Sequence, residues 1–127
     1  NQIIEGLILK DIKIPNSNII FFGVSFKENV SDMRNSKVIE IIKILRNQNI
    51  NISIYDPLVS DNQLDKELKN IKVKKLISNK YDALVYALDH DIFHPIELRK
   101  ITRVLKKKSF VYDIKSILPK TIVDKAL

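Results

Sequence analysis

Apolar and polar positions along the chain change their period several times, and each change marks an element. Ile4, Leu7 and Ile8 recur at helical spacing, so residues 1–11 read as a helix. Ile12 and Ile14 flank Lys13 before Pro15, and Asn16–Ser17 supplies a turn. Ile19–Val24 is an unbroken apolar run containing Gly23, which suits a strand covered on both faces. Val38, Ile41, Ile42 and Leu45 stand at i, i+3, i+4 and i+7 and predict a helix from about Ser36 to Arg46. Ser36 is its N-cap, Glu40 lies in its first turn, and Asn47-Gln48-Asn49 stops it.

Ile50, Ile52 and Ile54 then alternate with Asn51 and Ser53, a second strand ending at Tyr55-Asp56-Pro57. Ser60 or Asp61 would cap a short helix carrying Leu64 and Leu68, and Lys72–Ile77 reads as a short strand. Ala83–Leu88 is a further buried strand. Pro95 is suited to the first position of a helix that buries Leu98, Ile101 and Leu105 and carries Lys106–Lys108 at its C-terminal end. Phe110–Tyr112 is a last strand, and beyond Ser116 only Pro119 punctuates the tail.

Strands alternating with helices require crossover connections and a mostly parallel sheet. The expected fold is α/β, a three-layer Rossmann-like domain. Within it, Ser25–Asn35 is conspicuous, because eleven residues separate the first strand from its helix where two to six or so are usual. This loop carries Lys27, Glu28, Asp32 and Arg34. It leaves the carboxyl end of a strand, the edge at which open α/β sheets bind ligands.

A length of 127 residues fits one domain. No apolar run approaches the roughly 20 residues that cross a bilayer, no signal peptide opens the chain, and no membrane partner is expected. There is no cysteine, hence no disulfide, thiol nucleophile or thiolate metal site, in keeping with a cytoplasmic protein. The chain starts at Asn1 in mid-pattern, so residues 1–11 are expected to be the tail of a preceding inter-domain helix in a longer protein, and residues 12–127 the domain itself. The net charge of +7 raises nucleic acid as a partner. Against it, the cations are 18 Lys to 4 Arg, they are scattered, and no nucleic-acid-binding motif accompanies them. Lysine, isoleucine and asparagine are abundant together, as compositional drift would produce.

The dinucleotide fingerprint is missing, since Gly23 is followed by Val24, Ser25 and Phe26 rather than by G-x-x-G spacing. Asp56 ends the second strand where a ribose-binding acid would stand, but Asp-Pro more simply forms a turn. His90 and His94, with Asp89 and Asp91, have the spacing of metal ligands on a helix, yet Pro95 puts the helix after them and no metal is expected. In the loop, Lys27 and Arg34 either face a phosphate or pair with Glu28 and Asp32 on the surface. Charge pattern alone leaves both open.

Gly23-Val24-Ser25-Phe26-Lys27-Glu28-Asn29 followed by Asp32-Met33-Arg34-Asn35-Ser36 resembles the G-x-x-F-K-x-(D/N)-x-x-D-x-R-x-S motif of the UDP-glucose/GDP-mannose dehydrogenase family, in its C-terminal nucleotide-sugar-binding domain. Tyr55-Asp56-Pro57, Tyr81-Asp82-Ala83, Asp89-His90-Asp91-Ile92-Phe93 and Asp113-Ile114-Lys115 follow in the order that resemblance requires, over about residues 12–118. The form of the motif is most similar to the bacterial branch acting on UDP-N-acetylhexosamines for surface polysaccharide.

The resemblance implies NAD-dependent oxidation of a sugar C6 alcohol to a carboxylate in two hydride transfers, with a cysteine trapping the aldehyde. In the family that cysteine and the NAD-binding domain lie upstream, so this chain alone is expected to carry no catalytic residue and no activity. The resemblance assigns Phe26 and Lys27 to the UDP-sugar, and Arg34 to NAD held by an N-terminal domain of the same protein. Lys115 matches a basic position, often Arg, that contacts the substrate nucleotide, and Ser116 stands where glycine is frequent. The full-length protein is expected to be a homo-oligomer. The alternatives are a stand-alone nucleotide-sugar-binding module and a basic nucleic-acid-binding domain.

Overall fold

The computed structural model describes residues 1–127. The apolar run after the Asn16–Ser17 turn forms β1 (Asn18–Phe22), and the alternating isoleucines form β2 (Asn51–Tyr55). The fully buried Tyr81–Tyr86 forms β3, Leu105–Asp113 forms β4, and Lys125–Ala126 adds a short β5. All neighbours pair in parallel in the order β2-β1-β3-β4-β5. The expected three-layer, Rossmann-like α/β architecture is therefore present. Phe22 pairs with both Tyr55 and Tyr86, and Tyr86 pairs with Asp113, so four strands end in one row at the carboxyl edge.

Side chains alternate across the sheet into two cores. Ile19, Phe21, Ile52, Ile54, Ala83, Val85, Phe110 and Tyr112 face α1 (Gln2–Leu9), α2 (Lys37–Arg46) and α3 (Lys66–Ile71). Ile20, Phe22, Leu84, Tyr86 and Val111 face α4 (Leu98–Arg103) through Ile101, with Phe93 and Val104 beside it. Ser36 caps α2 as expected, its hydroxyl accepting from the Ile39 N–H. No helix is long and apolar enough to cross a membrane.

Four elements differ from expectation. α1 buries Ile3 and Leu7, while Ile8 is exposed; the contact face turns because Gly6 lies directly over the Phe110 ring, where any Cβ would collide with it. The stretch 61–71 is not one helix: Ser60 opens a single 3₁₀ turn over Asp61–Gln63, and Asp65 caps α3 through the Leu68 N–H. The strand expected at 72–77 reduces to one bridge, Lys72 to Ile54, because Val73 and Leu76 turn away to pack on the second core.

The helix expected after His94 starts only at Leu98, since Asp91–Phe93 is already a 3₁₀ turn that leaves Pro95 in a loop. It ends early as well. The Val104 carbonyl accepts from the Lys80 and Tyr81 N–H groups at 2.9 Å each, which draws the following residues into the sheet. Leu105 and Lys106–Lys108 therefore belong to β4, and Lys106 pairs with Asp82 at 3.2 Å.

Asparagine, read from composition as drift, has a conformational use. Five of the seven non-glycine residues at positive φ are Asn16, Asn29, Asn35, Asn49 and Asn79, the residue type that tolerates this region best after glycine. The chain thereby makes many sharp turns with only two glycines.

Candidate functional site

Strand order places a site before any side chain is considered. Connections from β1 and β3 diverge to opposite sides of the sheet, because β2 and β4 lie on either side of that pair. A crevice opens at the carboxyl ends of two such strands, and open α/β sheets bind ligands there. The 25–35 loop leaves β1 at this point, and residues 87–94 leave β3.

The base of the loop is held from beneath. Gly23 has φ +89° and donates to the Tyr55 carbonyl at 3.1 Å. Val24 N–H donates to Asp56 Oδ2 at 2.8 Å, and Ser36 Oγ–H donates to the Val24 carbonyl at 2.7 Å. Phe26 N–H donates back to the Asp32 carbonyl at 2.6 Å, closing the loop on itself, and Gln63 Nε2 reaches the Ser31 carbonyl at 2.6 Å. These bonds explain how eleven residues without regular structure stay ordered at the sheet edge.

Lys27, Glu28 and Asn29 are then fixed to residues from elsewhere. Ser25 Oγ–H donates to the Lys27 carbonyl at 3.0 Å. Glu28 Oε2 accepts from the Asp89 N–H at 3.2 Å and pairs with Lys115 Nζ at 3.0 Å. Asn29 N–H donates to His90 Nδ1 at 2.9 Å, and Asn29 Oδ1 accepts from the Asp91 N–H at 2.7 Å. His90 is completely buried and its Nε2 lies 3.0 Å from Asp56 Oδ2. Beneath it, the Phe93 ring sits 5.2 Å from the imidazole and joins Phe22, Tyr55 and Tyr86 in an aromatic floor.

The two open readings of the loop charges divide. Arg34 pairs with Asp32 through a fork of three hydrogen bonds, 2.9–3.3 Å, and the Arg34 side chain is 88% exposed. The Arg34 guanidinium holds the Asp32 carboxyl down at about 2, and the carboxylate in turn raises Arg34. Lys27 forms no such pair. It is exposed, and Glu28 turns to Lys115 instead. Partial burial by itself would raise the Glu28 carboxyl, but the Asp89 N–H and the Lys115 ammonium outweigh it and hold the group below its usual range.

Lys115 is set by a buried carboxylate. Asp113, at the end of β4, accepts from the N–H groups of Lys115, Ile117 and Leu118, and so winds the chain into a tight turn. Ser116 takes φ +58° within it, the conformation that would explain glycine at this position. Phe26 is 53% exposed, its ring beside Asp32, Arg34 and Asn35. Phe26, Lys27 and Lys115 thus stand on loops at the carboxyl edge, Glu28 joins those two loops through Lys115, and Arg34, late in the loop, lies beside Phe26.

His90 and His94 do not act together. His90 turns inward to Asp56, whereas His94 Nε2 reaches Asp89 Oδ1 at 2.9 Å at the surface. Tyr86 O–H donates to the same Asp89 oxygen at 2.8 Å, and burial, followed by that carboxylate, pushes the phenol up. No three His, Cys, Asp or Glu side chains converge as metal ligands. Asp56, read as a turn former, does accept from the Leu58 N–H, but it is buried and ties loop to strand as well. The sequence motif located the loop; it did not reveal that Asp56, His90 and Asn29 form one chain of bonds.

Comparison with known proteins agrees with this geometry. The model of the UDP-glucose/GDP-mannose dehydrogenase family, UDP binding domain, matches residues 20–120. A UDP-N-acetyl-D-glucosamine 6-dehydrogenase of Salmonella typhi is 33% identical over 118 residues, covering 93% of this chain and 28% of that protein. A UDP-N-acetyl-D-mannosamine dehydrogenase of Methanococcus aeolicus is 30% identical over 126 residues, covering 91% of this chain and 26% of that protein. The chain thus spans little more than a quarter of these curated relatives. Among solved structures, UDP-D-ManNAc dehydrogenase from Pyrococcus horikoshii superposes with a TM-score of 0.71 at 24% identity, over 97% of this chain and 28% of that one. That likeness establishes the fold.

Proposed function

The chain belongs to the UDP-glucose/GDP-mannose dehydrogenase family, and from that premise we propose that it is the nucleotide-sugar-binding C-terminal domain of a longer NAD-dependent UDP-sugar 6-dehydrogenase. In this reading residues 12–127 bind the UDP-sugar, and residues 1–11 continue the helix that arrives from an N-terminal NAD-binding domain. The substrate class is UDP-N-acetylhexosamine, the kind named for the relatives in Salmonella and Methanococcus. The product is the corresponding uronate, a precursor of surface polysaccharide made in the cytoplasm. The whole enzyme works as a homo-oligomer.

One observation supports this most: Lys27 and Lys115 stand on the loops that leave β1 and β4 at the same edge of the sheet, and of the two only Lys115 has an acidic partner. Two ammonium groups at a sheet edge suit a diphosphate, which presents several oxygens to a point charge. The exposed Phe26 ring beside Lys27 offers a flat apolar face to a base or sugar. Arg34, exposed near the end of the loop, is suited to reach NAD held by the preceding domain. NAD would supply the hydride acceptor there. The residues of this chain contribute binding and orientation, and they include no nucleophile of the kind the oxidation needs.

The test is calorimetric titration of the chain with UDP, wild type against Lys27→Ala. Weak binding, with a dissociation constant of about 0.1–1 mM, that falls at least about fivefold in the variant is expected. Equal affinity in the two proteins overturns the assignment of Lys27.

A further inference from the structure

The hydrogen bonds of His90 define a device that the substrate contacts do not include. Its Nδ1 accepts from the Asn29 N–H, a group that can only donate, so Nδ1 carries no proton. The ring proton is then on Nε2, which donates to Asp56 Oδ2. Asp56 Oδ2 accepts at the same time from the Val24 N–H. One imidazole thus joins the loop at Asn29 to the carboxylate that also holds the loop at Val24. Both ends of the segment carrying Lys27 are anchored on a single buried pair.

We infer that His90 is a positioning residue for Lys27: oriented by Asp56 in a buried site, its Nδ1 holds the Asn29 N–H and so fixes the direction in which the Lys27 ammonium approaches a diphosphate. The inference rests on the reading of Lys27 given above. Three facts support a clamp rather than simple packing. His90 and Asp56 are both fully enclosed, and no solvent competes for their bonds. Ser25 Oγ, whose proton goes to the Lys27 carbonyl, lies 3.5 Å from the same Nε2. Asn29 takes φ +62°, a conformation disfavoured for most residues, and it is held there at both its N–H and its Oδ1.

His90→Asn and His90→Gln separate the two bonds. An Asn side chain puts an acceptor near the place of Nδ1 and gives up the donor toward Asp56; a Gln side chain puts a donor near the place of Nε2 and gives up the acceptor toward Asn29. Long-range nitrogen–proton spectra of the wild type are expected to show a bare Nδ1 and a protonated Nε2, with a slowly exchanging Asn29 amide. His90→Asn should keep that amide protected and bind UDP within about twofold of wild type. His90→Gln should lose the protection and bind UDP about tenfold more weakly, while its remaining amide spectrum stays native.

A proton on Nδ1 in the wild type overturns the clamp. So does a folded His90→Gln protein that binds UDP as well as wild type with Asn29 unprotected. If His90→Gln does not fold, His90→Asn decides: a tenfold loss of affinity with the Asn29 amide still protected overturns the inference. Lys27→Ala, measured in parallel, keeps the two readings apart. Unchanged affinity in that variant rejects the role of Lys27, whereas the tautomer and the amide exchange report on the clamp regardless.

Discussion

Glu28 and Lys115 meet at 3.0 Å from the loops after β1 and β4, across the end of the strand that lies between those two. The contact puts a carboxylate beside Lys115, and on the role proposed for Lys115 above Glu28 would compete with a phosphate for it. Glu28→Gln keeps an oxygen for the Asp89 N–H and removes the charge. It should tighten UDP binding by up to about fivefold, the scale of a partly exposed ion pair. Calorimetry at neutral pH measures this. The Glu28 carboxyl is held below its ordinary value. Its contribution to stability is therefore complete above the ordinary glutamate range and disappears as pH falls through the depressed value. The affinity ratio of variant to wild type should stay constant on acidification until that depressed value is reached, and then approach one.

Arg34 is held by Asp32, and the pair is at the surface. Surface pairs contribute little to folding, so Asp32→Asn should leave the urea midpoint at neutral pH unchanged. Its effect is local: the Arg34 Nε–H, bonded to Asp32 in the wild type, should exchange faster in the variant. A carbon-detected titration should find the Asp32 carboxyl ionising at about 2. The direction gives the sign, because whatever the pair adds is fully present above the ordinary aspartate range and is lost only as pH falls through about 2. An ordinary titration for Asp32 would mean that Arg34 is already free, and available to a cofactor without exchange of partners.

How much of this was legible depended on whether the deciding contacts were local. The helix over 37–46, β1, β2 and β3 follow from the apolar pattern and the Ser36 cap, because α2 and β2 bury one face, β1 and β3 bury both, and the pattern records it. The boundary between α4 and β4 does not, since it is set by Val104 accepting from Lys80 and Tyr81, residues distant in sequence. β5 is two residues long, too short to show a period, and is located by Asp124 accepting from the Val111 N–H. The same holds in the site. Lys27, Arg34 and Lys115 were marked by motifs, but Glu28 choosing Lys115 over its neighbour Lys27, and His90 turning to Asp56 rather than to His94, depend on strand order. Ser116 lies between these cases: the resemblance marked a position where glycine is frequent and left its backbone open, and the structure gives it φ +58°.

Gly23 is required by the turn and by space. Its φ is +89°, and a Cβ there would stand 2.6 Å from Leu88 Cβ. Leu88 lies on the segment leaving β3 and cannot retreat without moving its own N–H from the Phe22 carbonyl. Gly23→Ala should therefore destabilise the chain by about 2–5 kcal/mol, combining backbone strain with overpacking. Urea unfolding should register it as a lower midpoint with an unchanged slope. A loss below about 1 kcal/mol would indicate that the β1 and β3 loops are not in contact as described.

Lys115 offers a gain-of-function test of the nucleotide site. The family resemblance puts a basic residue here that is often Arg, and Lys supplies one charged point where Arg supplies a planar fork. The backbone around it is already prepared: Asp113 accepts from the N–H groups of Lys115, Ile117 and Leu118, and none of these bonds involves the Lys115 side chain. Lys115→Arg should therefore fold as the wild type does. Its guanidinium can keep one N–H on Glu28 and direct others to a phosphate, whereas the Lys115 ammonium must divide a single charge centre between them. UDP affinity should rise about three- to tenfold, and uridine, which lacks the phosphates, should show no change. Calorimetry with both ligands separates a phosphate contact from a base contact. An equal gain for uridine would move Lys115 away from the diphosphate and toward the base, and the assignment of the two lysines to one phosphate group would fail.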